Sequence, residues 1–146
     1  VTVTDRRPPF QFSFITRVGF DETDAQGVVY YGRYMPYFDR ARVEYLRHLG
    51  LLADGRGLME FVMRAQHVEY HAPARFDDQL EVFVRVAKIG QTSVRWQFEA
   101  VDVTTGSHLV TANQTVVQID PAARRAVAVG EPFRATVAAF DHGVEL

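Results

Sequence analysis

Phe20-Asp21-Glu22-Thr23-Asp24-Ala25-Gln26-Gly27-Val28-Val29-Tyr30-Tyr31 leads into a second stretch, Tyr34 to Leu49, and together they decide the fold. In the second stretch Tyr34, Phe38, Ala41, Tyr45 and Leu49 recur at steps of four, three, four and four, one stripe of an α-helix. Pro36 is tolerated only in a first turn, which sets the helix start close by. Arg47 and His48 suit the negative end of the helix dipole, and Gly50 suits the left-handed residue just past the last turn. Met35, Tyr37, Val43 and Leu46 widen the stripe, so the helix is expected to be covered on more than one side.

Working outward, the flanks read as strands. Phe10, Phe12, Phe14, Thr16, Val18 and Phe20 alternate with Gln11, Ser13, Arg17 and Gly19, which predicts a half-buried strand reaching Phe20. Residues 1–9, closed by Pro8-Pro9, read as a loose lead-in. After the helix a loop is expected at Ala53–Gly57. Leu58–His71 then forms a strand whose imperfect alternation suggests a bulge, ended by Pro73. Leu80–Ala87 and Ser93–Ala100 alternate with period two, with Gly90 between them. Thr104-Thr105-Gly106-Ser107 is a hairpin loop, and Leu109–Ile119 is the last long strand, stopped by Asp120-Pro121. Pro132–Phe140 reads as a short helix with proline in its first turn.

Short turns between strands require antiparallel neighbours, and their apolar faces must wrap the one broad helix. The expectation is an α+β domain, a curved antiparallel sheet around a central helix. It takes in residues 1–146 as one unit, with a core at about 10–120 and a C-terminal extension at 121–146. Unpaired edge strands are commonly protected by pairing with a second copy, so a homodimer is expected.

Composition narrows the function. The chain has 146 residues, 47% apolar and 23% charged, with a formal net charge of −2. That charge gives no electrostatic footprint for nucleic acid. No apolar run reaches the length of a membrane span, no signal-peptide core is present, and a cytoplasmic protein is the default expectation. With no cysteine, disulfides, thiolate metal sites and cysteine nucleophiles are excluded. There is no Gly-x-Ser-x-Gly elbow and no glycine-rich phosphate loop. The Asp21–Ala25 run fails the ligand pattern of a calcium loop, and His67 and His71 are too far apart along a strand to share one ion.

What remains is Asp24. A carboxylate beside a helix N-terminus, where backbone N–H groups are free, is the minimum equipment for splitting an ester or thioester. Asp24 would act as general base or as nucleophile. The N–H groups of Tyr31 and Gly32 would face the oxyanion, and Gly27 would supply a positive-φ turn or a close backbone approach. On spacing alone, Asp24 reads more readily as a solvated loop acid or a remote cap.

The run Asp24 to Tyr31, followed by Tyr34, Tyr37-Phe38-Asp39-Arg40-Ala41-Arg42 and Glu44-Tyr45-Leu46-Arg47, resembles the hotdog-fold acyl-CoA thioesterases. So does Tyr70-His71-Ala72-Pro73-Ala74-Arg75-Phe76-Asp77-Asp78. The likeness is to the 4-hydroxybenzoyl-CoA thioesterase type and the related Tol-Pal-associated enzymes, over about residues 12–120. It implies the hotdog fold, dimers that often pair into tetramers, and cofactor-free hydrolysis of an acyl-CoA in which CoA is part of the substrate. The family's catalytic aspartate falls on Asp24, and its backbone oxyanion donor on Tyr31, a position that is histidine in many Tol-Pal-type relatives. Its aspartate that contacts a substrate hydroxyl falls on Asp39. Its basic run at the CoA phosphates falls near Gly90-Gln91-Thr92, which is not basic, leaving Lys88, Arg124 and Arg125 as candidates. An acyl-carrier-protein thioesterase and a non-catalytic acyl-binding hotdog module are the alternatives.

Overall fold

The computed structural model describes residues 2–52 and 60–146. The loop expected at Ala53–Gly57 and the expected start of the next strand at Leu58 lie outside the described residues. The strands are β1 (Thr2–Arg7), β2 (Phe10–Arg17), β3 (Phe61–Tyr70), β4 (Gln79–Ile89), β5 (Ser93–Asp102), β6 (His108–Asp120) and β7 (Arg125–Ala126). The helices are α1 (Tyr34–His48) and α2 (Glu131–Phe140). The seven strands form one sheet in the order β1-β2-β4-β5-β6-β3, with β7 paired to β6, and every ladder between them is antiparallel. This is the α+β architecture expected, a sheet curved around one long helix.

The helix stripe meets the sheet as its spacing requires. Phe38 packs on Phe98 with ring centroids 4.9 Å apart, Tyr45 on Trp96 at 5.1 Å, and Phe12 on Tyr45 at 5.8 Å. Tyr34, Tyr37, Phe38, Ala41, Tyr45 and Leu46 are buried. Each fully buried large apolar side chain of this kind contributes roughly 1.5–3 kcal/mol relative to exposure. The helix stops at Gly50, which adopts φ +72°. There the Leu51 N–H bonds to the Leu46 carbonyl at 2.8 Å and the Gly50 N–H to the Arg47 carbonyl at 3.1 Å, the paired bonds of a Schellman motif.

Two sequence expectations need correcting. The first is the lead-in. Thr2–Arg7 is a strand, β1, paired to β2. Its polar residues are held by partners far along the chain. Arg6 forks onto the Glu81 carboxylate, which also accepts from the Ser13 hydroxyl at 2.6 Å, and Arg7 forks onto Glu99 at 3.1 Å. This arrangement buries β4 on both faces, with Glu81 and Phe83 covered opposite the helix. The second is the reach of the first strand. β2 ends at Arg17, and Phe20 sits in a short 3₁₀ turn, Phe20–Glu22, with 78% of its surface exposed. The turn forms because the Glu22 carboxylate reaches back to the Gly19 N–H at 2.6 Å.

The bulge expected in the strand after the helix is present at Met63/Ala65 of β3. The residues after 120 fold back onto the sheet. Val137 of α2 is fully buried, and Asp141 accepts hydrogen bonds from the Tyr45 hydroxyl and the Val86 N–H. Among the described residues no helix is long and apolar enough to cross a membrane.

Candidate active site

Two chain segments zip together to build a cleft at the entrance of α1. Val18 and Asp77–Asp78 exchange backbone bonds of 2.9 and 3.1 Å. The Val29 N–H bonds to the Ala74 carbonyl at 2.8 Å, and Val28 bridges Arg75. Between them the acidic loop makes a tight turn. The Asp24 N–H donates to the Val28 carbonyl at 2.9 Å and the Gly27 N–H to the Asp24 carbonyl at 3.0 Å. Gly27 takes φ +77° here, a conformation that a side chain would strain. One Asp24 carboxylate oxygen accepts the Gln26 N–H at 2.8 Å, an Asx turn that fixes the orientation of the acid.

The cleft encloses about 350 Å³, and Asp24, Val29, Tyr31, Tyr34, Tyr70 and His71 are among its walls. Asp24 is half-buried. Tyr31 opens a second 3₁₀ turn, Tyr31–Arg33, that leads into α1 and has no side-chain cap. The Arg33 N–H bonds to the Tyr30 carbonyl at 2.8 Å and the Tyr30 N–H to the Glu22 carbonyl at 3.0 Å. The N–H groups of Tyr31 and Gly32 between them have no backbone partner among the described residues. On the other side of the Tyr31 residue the carbonyl accepts the Tyr70 hydroxyl at 3.0 Å, which steadies the turn. Gly32 is close-packed, because a Cβ there would lie 3.2 Å from the Tyr30 ring. Tyr34 is buried beneath, and burial pushes its phenol up to about 12, against the opposing backbone bond at Ala74. It therefore remains a neutral wall of the cleft at ordinary pH.

Asp24 and Tyr31 thus both wall the cleft, whereas Gly27 and Gly32 lie in the loop and turn beside it and are not among its walls. Asp39 does not line this cleft; it is exposed on α1, 3.3 Å from Arg42. Lys88 lies elsewhere, paired at 3.2 Å with Glu145. Its strand passes through Val82, which shares a row with Ala100, Val110 and Tyr70, and Lys88 is roughly 20 Å further along. Arg124 and Arg125 occupy the turn and strand after β6, where Arg125 pairs with Asp120, ten residues of β6 or roughly 33 Å beyond Val110. Within one chain these three cations and the cleft are apart.

Sequence reasoning did not single out Tyr34, Tyr70 or His71 as walls of this site. Tyr70-His71 stood in the family-like run as the lead into a strand, and His71 was weighed with His67 only as a metal ligand. His71 bonds Thr111 at 3.0 Å and its ring lies tilted against that of His108 at 4.6 Å, while His67 pairs with Glu69 at 3.0 Å. No cluster of three metal-ligating side chains is found among the described residues.

The comparisons with known proteins converge on this architecture. Residues 18–137 match the family model described as the thioesterase-like superfamily. The acyl-CoA thioester hydrolase YbgC of Escherichia coli O6:H1 is 37% identical over 115 residues, covering 75% of this chain and 83% of that relative. The crystal structure of a probable thioesterase from Bartonella henselae superposes with a TM-score of 0.71 at 30% identity, covering 82% of this chain and 98% of the other. Slr0204, a 1,4-dihydroxy-2-naphthoyl-CoA thioesterase from Synechocystis, shares the fold at a TM-score of 0.80 and 21% identity, over 90% and 98% of the two chains. The chain belongs to the thioesterase-like superfamily.

Proposed function

We propose that the protein is a hydrolase of acyl-CoA thioesters, yielding a free acid and CoA-SH. The observation that carries this reading is that Asp24 and Tyr31 wall one cleft, at a turn whose Tyr31 and Gly32 N–H groups have no backbone partner among the described residues. The kinship with the acyl-CoA thioester hydrolase YbgC supports the thiol ester as substrate. The thioester carbonyl oxygen takes the Tyr31 N–H, where one preorganised donor is typically worth about 3–4 kcal/mol of barrier. Asp24 either removes a proton from the attacking water or attacks the carbonyl carbon itself to give a mixed anhydride. On either route the C–S bond breaks as the carbonyl re-forms, and the departing thiolate takes up a proton; on the second route this gives the mixed anhydride, which water then hydrolyses to release the free acid and restore the Asp24 carboxylate. Gly27 allows the left-handed turn that presents Asp24, and the chemistry calls for no metal or organic cofactor.

The working unit in this reading is a homodimer, in which the exposed outer edge of β3 meets a second copy, with dimers pairing further into a tetramer. Asp39, Lys88, Arg124 and Arg125 then reach a cleft from the neighbouring copy, Asp39 toward the acyl group and the three cations toward the CoA phosphates. Following thiol release with a thiol-reactive dye across benzoyl-, phenylacetyl- and aliphatic acyl-CoAs tests the activity. Turnover of at least one is expected; release from none of them would overturn the proposal. A single turnover in oxygen-18 water separates the two roles of Asp24. Only a nucleophilic Asp24 passes unlabelled carboxylate oxygen into the first product.

A further inference from the structure

A second cavity lies under the C-terminal half of α1, away from the cleft of its own chain. It encloses about 200 Å³ and is walled by the apolar Leu46, Phe61, Met63, Trp96, Val116 and Phe133, together with Arg42. None of these residues lines the Asp24 cleft. Arg42 offers an occupant no free polar group. Trp96 and Phe98 flank its guanidinium at 5.5 and 5.6 Å, its terminal nitrogens bond Gln114 and Asp39, and its Nε is buried. The space suits a bare hydrocarbon and penalises a hydroxyl or a charge, which would lose water without gaining a partner.

Its place on the sheet decides what enters. β3 ends the strand order and pairs only with β6, so its outer edge is free among the described residues. Met63, a cavity wall, stands near the start of β3 and is 46% exposed. Tyr70, a cleft wall, stands at its end and is 48% exposed. Within one chain roughly 20 Å of strand separates them. Two copies joined edge to edge about a two-fold axis run antiparallel, which brings the Met63 end of one beside the Tyr70 end of the other.

The facing of the side chains selects the register. Met63, Gln66, Val68 and Tyr70 share rows with Val116, Gln114, Ala112 and Val110, on the face that meets α1 through Trp96 and Phe98. Ala65, His67 and Glu69 alternate onto the other face, and the bulge inserts Arg64. Opposed residues of an antiparallel pair lie on one face. An axis through His67 meets that condition. Gln66 then opposes the partner's Val68, Arg64 and Ala65 oppose the partner's Glu69, and Met63 opposes the partner's Tyr70. Each copy thereby sets an arginine against a carboxylate, whereas moving the axis one residue either way puts a histidine opposite Arg64.

We infer that a substrate held at one copy's Asp24 passes its acyl tail into the partner's cavity, and that the substrate class is unsubstituted aliphatic acyl groups of about eight to twelve carbons. Crossing the roughly 5 Å between the paired strands takes about four carbons. The cavity holds about six more, since an apolar space of about 150 Å³ accommodates benzene. This inference rests on the proposed thioester hydrolysis and names the acyl group that it acts on.

The full-length protein is assayed with butyryl-, decanoyl- and palmitoyl-CoA. Decanoyl-CoA is expected to have the highest kcat/KM, about tenfold or more above palmitoyl-CoA. Val116→Phe fills the cavity and is expected to lower the decanoyl-to-butyryl ratio of kcat/KM about tenfold. Phe133→Ala enlarges it and is expected to raise the palmitoyl-to-decanoyl ratio about threefold, a gain that misfolding does not mimic. Ratios that stay at the wild-type values in both variants overturn the inference. Mixing Asp24→Asn with Val116→Phe tests the partnership. In the mixed dimer one site joins an intact acid to an intact cavity only when the two come from different copies. Equal mixing is then expected to return about a quarter of the wild-type decanoyl turnover, and no recovery overturns the shared site. Trp96, the only tryptophan, reports occupancy without turnover. A non-hydrolysable decanoyl-CoA thioether is expected to change its emission saturably, and silence overturns the inference. Turnover of no acyl-CoA with that response intact overturns the proposed hydrolysis alone.

Discussion

At its C-terminal end α1 leaves little unsatisfied: Gly50 turns left-handed, the Gly50 and Leu51 N–H groups return to the Arg47 and Leu46 carbonyls, and Tyr45 is bonded to Asp141. At its N-terminal end no side chain caps either the 3₁₀ turn or the helix, the Tyr31 and Gly32 N–H groups have no backbone partner among the described residues, and Tyr31 walls an open cleft. Both ends belong to one 15-residue element and one hydrophobic stripe. The difference separates tasks. The exit is closed to hold the fold, and the entrance is left open with an acid set beside it, where dipole and free donors favour developing negative charge.

Substitutions at the two ends therefore have different readouts. The largest effect is expected at the entrance. Asp24→Asn should lower kcat by about 10²–10⁴-fold while melting close to the wild type, because the Gln26 N–H keeps an amide oxygen as acceptor. Near-normal turnover on every acyl-CoA would break the contrast. At the exit, Asp141→Ala removes the acceptor of both the Tyr45 hydroxyl and the Val86 N–H. We expect a loss of about 3 kcal/mol in denaturant unfolding, with kcat of the folded fraction little changed.

Glu81, across the sheet from α1, serves as a control remote from both ends. Burial pushes its pKa up, but the hydrogen bonds from Arg6 and Ser13 outweigh burial and hold it below its ordinary 4.5. A depressed folded pKa contributes stability that is present above 4.5 and is lost as pH falls through the folded value. With Arg6 largely exposed, that contribution is about 1–2 kcal/mol. The Tm gap between wild type and Glu81→Gln should accordingly be widest near neutrality and close on acidification below 4.5. Gly50→Ala should cost about 1 kcal/mol of stability through its left-handed φ, again without touching kcat. The smallest effect is expected for Tyr31→Phe, with kcat within about twofold, since the donor is the backbone. A large loss there would move the role to the phenol and erase the asymmetry between backbone and side chain at the entrance.

What could be read in the sequence follows from the range of the forces involved. The α1 stripe and its Gly50 stop are local patterns and were legible, as were β4, β5 and β6 from their alternation. β1 was not, because Thr2–Arg7 has no apolar period and is held by Glu81 and Glu99, more than seventy residues away. Phe20 was misread for the converse reason: its apolar character continues the alternation, while the Glu22 bond to Gly19 turns the chain out of the sheet. In the cleft, Asp24, Gly27 and Tyr31 stand in one short run, so their meeting was foreseeable. Tyr70 and His71 arrive from the end of β3, some forty residues later, and only the pairing of Val28 and Val29 with the 74–75 segment brings them in. Arg42 carried no signal at all, since a helical arginine gives no hint that Trp96, Phe98 and Gln114 will enclose it.

The ion pair between Lys88 and Glu145 has a practical side. Lys88 is the chain's only lysine, and it is exposed on β4 some way along the sheet from the Asp24 cleft. Amine-directed chemistry thus meets a single side chain here, and an exposed pair of this kind contributes at most about 1 kcal/mol. In the proposed dimer Lys88 serves the neighbouring copy's cleft, so a fluorophore attached there would report on substrate arrival, while a bulky tether would hinder CoA binding.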